Sequence, residues 1–262
     1  MSLSISRNMT LSIGRSAGFS PFSLFSGGQA GDIWINSAAY YYTDTAATTL
    51  VTTTGDQVAA WKGALRGTLF TQSTALSRPI YQSSGGIDFL LCDGSGDYLT
   101  STAIDFSGSD AISAFIGARK LSDAAQSMLL ELSIGANNGK FDIQAPPFAT
   151  AGYAAGSRGT AAVTATRATG YAAPISNVVS IVSDISDDNL RLWVNDTLEA
   201  TASGDQGTGN FGNYALAVGA RSNATLPFNG RVGPVIVRGG TITDAQAAST
   251  RRWCAGRFGV TF

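Results

Sequence analysis

The 262 residues carry only 13% charged side chains and a net charge of −1, with Arg and Lys scattered rather than clustered. Such a surface attracts neither nucleic acid nor an anionic membrane, and no run of about 18 apolar residues is present to insert into a bilayer. The chain has no histidine, which removes imidazole-based catalytic triads and the metal sites that rely on imidazole.

Residues 1–28 read as an arm. LSISR at 3–7 recurs as LSIGR at 11–15, followed by the turn-rich GFSPFSLFSGG. Within each copy apolar and polar residues alternate, so Leu3 and Ile5, then Leu11 and Ile13, share one face of an extended strand. Such a strand pairs either with this chain's own sheet or with the sheet edge of a neighbour. Phe19 and Phe22 complete the candidate assembly contacts. Polar residues interrupt the leader too often for the apolar core of a secretion signal, so synthesis in a reducing cytoplasm is expected, with Cys92 and Cys254 as buried thiols rather than a bridge.

From 29 to 262 the pattern is that of one β-sandwich domain. Short alternating segments lie between Gly, Asn, Asp and Pro turns. Ile112, Ala114 and Ile116 fall on one face, as do Met128, Leu130, Leu132 and Ile134 in the next segment. Phe141 with Ile143, then Val179, Ile181 and Ile185, then Leu190, Leu192 and Val194 repeat the pattern, with small or polar residues opposite. Strands that bury one side each pack most simply as two antiparallel sheets face to face, a sandwich or jelly roll. Helical patterning appears once, over 243–258, where Thr243 and Gln246 have capping-box spacing, Gly256 marks the stop and Trp253 offers an anchor.

The chemistry-bearing residues are few. Gly207, Gly209 and Gly212 fit the G-x-G-x-x-G spacing of a dinucleotide loop, but NYALAV follows with a strand period where that loop needs a helix. The chain has two glutamates, Glu131 and Glu199. LLELSIG supplies one carboxylate where a sandwich-fold glucanase needs a pair on alternate strand positions. Glu131 therefore reads as a solvent-facing or paired group on the outer face, and no cofactor is expected. DGSGD at 93–97 and DISDD at 184–188 have the oxygens that Ca2+ takes in β-sandwich loops, with Asp184 and Asp187 as candidates, yet turns built on Asp and Gly explain both clusters. Trp34, Trp61 and the run from Tyr40 to Tyr42 belong by preference to the core. Trp193, out of phase with Leu192 and Val194, is the candidate for a contact surface on the opposite sheet face, with Tyr41 as a second.

Several stretches together carry a resemblance. WINSA (34–38), TGDQVAAWK (54–62), IDFLLCDGSGDYL (87–99), DISDDNLRLWVN (184–195) and FGNYALAVGARSNATLPFNGRVGPVIVRGG (211–240), leading into RRWCAGRFGV, resemble tailed-phage and prophage virion proteins with a laminin-G or concanavalin A-like domain. That resemblance implies an all-β jelly-roll sandwich, with the segment ending LPFNGRV as a hairpin that closes the sheet before the terminal helix. It also implies a place on the virion surface after synthesis in the bacterial host cytoplasm. The expected role is a non-enzymatic accessory structural protein, a capsid decoration or a head or tail appendage, that oligomerises, by analogy as a trimer, and contacts other phage structural proteins. The alternative is an adhesin that recognises host surface glycan.

Overall fold

The computed structural model of the chain describes residues 19–133 and 137–262. In chain order the strands are β1 (Gly31–Trp34), β2 (Tyr41–Tyr42), β3 (Ala60–Lys62), β4 (Leu69–Thr71), β5 (Ile80–Ser84), β6 (Ile87–Asp93), β7 (Leu99–Asp105), β8 (Ala111–Lys120) and β9 (Met128–Leu132). They continue with β10 (Lys140–Gln144), β11 (Tyr153–Arg158), β12 (Ala162–Arg167), β13 (Ile175–Asp184), β14 (Asn189–Val194), β15 (Thr197–Ala202), β16 (Asn213–Val218) and β17 (Asn229–Gly239), and a helix, α1 (Asp244–Phe258), closes the chain. Two antiparallel sheets form. The first runs β15-β14-β13-β8-β17-β6-β5 with β1 also on β17, and the second runs β12-β11-β10-β9-β16-β7-β4-β3-β2. The architecture is a jelly-roll-like sandwich with one terminal helix.

The inward faces are those that period-2 alternation marks, except at the start of β9, where a register shift against Ile143 and Gln144 puts Leu129 rather than Met128 in the core. Ile112, Ala114, Ile116, Leu130, Leu132, Phe141, Ile143, Val179, Ile181, Leu190, Leu192 and Val194 all belong to one inter-sheet core, where non-directional apolar burial does most to hold the layers together. Ile134 lies outside the described residues. One apolar cluster lies elsewhere: Phe115, Val178, Ile236 and Phe89 point away from the core and pack under α1 through Ala247, Cys254, Ala255 and Phe258. The expectation of a small or polar opposite face fails there because the helix covers that face. Phe258 comes so close to the sheet that a Cβ at Gly233 would lie 2.4 Å from its ring, so a larger residue there would force the ring to shift.

The capping box forms as its spacing predicts, Thr243 accepting from the Gln246 N–H while the Gln246 side chain accepts from that of Thr243. The helix runs past Gly256 and ends at Gly259, whose φ of 67° supplies the left-handed cap. Trp253 is only half-buried and lies against Arg257, so the docking anchors are the smaller residues and Phe258. Cys92 and Cys254 are free and buried.

Two expectations need correction. The segment ending LPFNGRV is no hairpin, because β16 lies in the second sheet and β17 in the first, so residues 219–228 cross between layers with Phe228 buried at the crossing. The arm boundary at 28 also shifts. A one-turn 3-10 helix over Pro21–Phe25 docks on the body, with Leu24 and Phe25 buried, Phe19 half-buried beside them and Phe22 exposed. Residues 19–28 thus belong to the sandwich. Leu3, Ile5, Leu11 and Ile13 lie outside the described residues.

Candidate functional site

The sequence-predicted surface residues do not converge. Trp193 lies on the outer sheet face as its phase requires, but it is 6% exposed, with the Arg191 and Arg251 guanidinium carbons 4.8 and 5.2 Å from its ring centroid. It offers no open platform. Tyr41 is fully buried against Trp61 and Tyr81, with ring centroids 5.4 and 5.9 Å away, and the low-dielectric core holds its hydroxyl pKa well above the ordinary value. Asp184 is engaged locally, accepting from the Ser186 hydroxyl at 2.9 Å and the Asp187 N–H at 3.2 Å, while Asp187 is exposed. DGSGD closes the same way: Asp97 accepts from the Asp93 N–H and Asp93 from that of Ser95. Both acidic clusters are turns, and among the described residues no group of three or more Cys, Asp or Glu side chains is placed to hold a metal ion.

The arrangement that does form starts from Asp32, fully buried in β1. Its carboxylate accepts backbone N–H bonds from Ile33, Leu65, Arg66 and Thr68, at 2.8 to 3.2 Å. A buried carboxylate is tolerable only when donors satisfy it, and here all but the Ile33 N–H come from a loop about 34 residues further on. The loop must approach closely, since a Cβ at Gly63 would lie 2.1 Å from the Asp32 Oδ2. Held this way, the loop aims Arg66 back at the chain, where Nε donates to the Gly31 carbonyl and Nη2 to those of Gly28 and Gln29.

Between these segments and β7 lies an open cleft of about 540 Å³, walled by Gly28, Gly31, Arg66, Thr68, Thr102 and Asp105. A second recess of about 490 Å³ continues past Ala30 and Asp105 toward Ser109 and Arg238. Arg238 is also held, donating to the carbonyls of Leu24 and Thr241. Asp105 sits on the shared wall. Its Oδ1 accepts from the hydroxyl and N–H of Ser107, which hold its pKa below the ordinary carboxylate value, and Oδ2 remains open as an acceptor among the described residues. The cleft presents hydroxyls, glycine backbone, the Arg66 side chain and one ionised carboxylate beside the apolar Leu69 and Ile104. Its polar lining residues supply hydrogen-bond donors and acceptors.

A separate polar array lies on the outer face of the second sheet. Glu131 and Asp142 are direct cross-strand partners. Asp142 takes donors from Lys140 at 3.0 Å and Gln144 at 2.8 Å. Glu131 has Arg221 Nε at 3.2 Å but off the hydrogen-bond direction, and neither of its oxygens accepts a hydrogen bond among the described residues. It is thus paired and outward, as expected, but fully buried rather than solvent-facing. Burial raises its pKa to about 7, against the pull of Arg221 and with a further push from Asp142.

No family model matches the chain, and no curated protein matches it by sequence. Solved structures share its fold. Domain 4 of AbnA, an extracellular GH43 arabinanase of Geobacillus stearothermophilus in complex with arabinotriose, aligns over 85% of this chain and 99% of its own, with a TM-score of 0.53 and 11% identity. The ligand-binding domain of botulinum neurotoxin serotype D, in complex with N-acetylneuraminic acid, aligns over 75% of this chain and 50% of its own, with a TM-score of 0.52 and 10% identity. The CBM40 of a Ruminococcus gnavus sialidase aligns over 55% and 83%, with a TM-score of 0.45 and 20% identity. What the arabinanase and neurotoxin domains have in common with the chain is the fold.

Two outcomes follow from the buried acids. Asp32→Asn keeps the volume but turns an amide donor toward backbone N–H groups, so it should cost about 2–4 kcal/mol in denaturant unfolding and speed hydrogen exchange at Leu65, Arg66 and Thr68. An unchanged midpoint with unchanged exchange contradicts this role. For Glu131 the folded pKa of about 7 stands above the ordinary 4.5, so the folded state keeps a proton that the unfolded chain releases. Stability should fall as pH rises from about 4.5 to 7, by roughly 3 kcal/mol, and then level off. Glu131→Gln should remove that component, so that urea midpoints for the two proteins diverge across this window; parallel curves would refute it.

Proposed function

We propose that the chain is a non-catalytic glycan-binding module whose cleft beside Asp105 takes a short segment of polysaccharide. The carrying observation is the cleft itself, open, about 540 Å³, and lined by Thr hydroxyls, Arg66, one ionised carboxylate and the apolar Leu69 and Ile104, with one wall that Asp32 and Arg66 hold in place. That volume lies within the roughly 300–1,000 Å³ usual for small-ligand sites, and a fixed wall reduces the ordering cost of binding. Arabinotriose on the arabinanase domain and N-acetylneuraminic acid on the neurotoxin domain support the reading, since both are sugars held by this fold. A glycan array followed by calorimetry tests it. Asp105→Ala and Thr102→Ala alter exposed side chains, so each should keep the wild-type melting temperature while weakening the selected glycan about ten-fold, near 1.4 kcal/mol. Saturable binding that both variants retain in full moves the site elsewhere, and no saturable binding across a broad panel ends the proposal.

We also propose that this module is carried on a tailed-phage particle, on the strength of the resemblance over most of the chain after residue 18 and of the duplicated LSISR and LSIGR segments. A repeated weak contact gains from many copies on one shell, and a nearly neutral chain avoids repulsion between them. Attachment is assigned to residues 2–18, ahead of the docked Pro21–Phe25 turn. Deleting residues 2–18 should leave the unfolding midpoint of the sandwich unchanged and abolish incorporation into particles; normal incorporation would count against the arm.

A further inference from the structure

On the outer face of the first sheet, beside the end of α1, Arg119 of β8 and Arg231 of β17 stand directly opposite each other in the antiparallel register. Like charges in such a pair repel unless a counter-charge lies near. Other arginines on this layer have partners: Arg191 meets Asp244, and Arg251 and Arg252 share Asp196. Among the described residues neither Arg119 nor Arg231 makes an ion pair, and Nε of Arg119 is shut off from solvent with no acceptor.

A recess of about 140 Å³ is lined by both arginines, with Phe89, Phe258, Ser84 and Ser176 among its other walls. The Arg231 guanidinium carbon lies 4.4 Å from the Phe89 ring centroid, so stacking fixes its plane. Partial burial, with Arg119 nearby, lowers the Arg231 pKa, yet a guanidinium keeps its charge at neutral pH. The recess is smaller than usual organic-ligand sites and has room for one acidic group. Arginine forks suit planar or tetrahedral oxyanions.

We propose that the Arg119–Arg231 recess binds a single oxyanion, either free sulfate or phosphate, or the carboxylate or sulfate of an acidic sugar. The assignment is independent of the glycan cleft, which other residues line.

The full chain, titrated with sodium sulfate against sodium chloride at matched ionic strength, is followed through its arginine Nε–H resonances. Saturable shifts at Arg119 and Arg231 in the millimolar range are expected, weakened at least ten-fold in Arg119→Gln. Arg231→Gln carries the same test where the first variant does not fold. Competition by glucuronate but not glucose identifies an acidic sugar as an occupant, and sulfate binding without such competition identifies a free anion; both uphold the site. Shifts that never saturate, or that keep full affinity in the variants, overturn it.

Discussion

A carboxylate removed from water must find donors, and in this chain Asp32 finds them in backbone amides rather than in a cation. It bonds to its own strand neighbour and to three amides of the loop over residues 63–68, so an edge strand of one sheet is tied to the loop that enters β4 of the other. Two indole N–H groups strengthen the same seam: Trp34 donates to the Thr68 carbonyl and Trp61 to that of Ile35, each at 3.0 Å. Arg66 then reaches the Gly28–Gly31 segment. One wall of the candidate cleft descends from this arrangement, and amides converging on a point charge fix position more tightly than apolar contact does.

The layers divide their labour. The outer face of the first sheet is roofed by α1 and the Pro21–Phe25 turn. Among the described residues no helix packs on the second sheet, whose outer face carries Lys140, Asp142, Gln144 and Glu131 in a polar array. Glu131 is costly to the fold as an ion, which makes it a selected feature or a tolerated one; its proton, not its charge, suits the buried position below neutrality.

Sequence periodicity is informative for strands because each buries one side, and the core faces of β8, β10, β13 and β14 are legible residue by residue. The helix is legible from Thr243 and Gln246, since capping is local chemistry. The site is not. Asp32 and the 63–68 loop are far apart in sequence, and the only cue is an acid wedged before Ile33 and Trp34 in a chain poor in charge. Arg119 and Arg231 are adjacent only through strand register. Trp193 shows the converse limit: its phase gives the face correctly, but whether a helix covers that face depends on a segment 50 residues later. The crossing at 219–228 is hidden for a similar reason, since Gly and Pro mark a turn without saying which sheet receives the next strand.

β17 has a consequence for how the molecule is made. Along one edge it pairs with β8, and along the other it is shared between β6, at residues 229–232, and β1, at 235–238, with the register shifting between Val232 and Val235, around Pro234. Its arrival therefore zips the earliest strand of the body to nearly the last. A nascent chain emerging from the ribosome cannot complete the first sheet until residues 229–239 have been made, and until then β1, β6 and β8 wait with unmet edges.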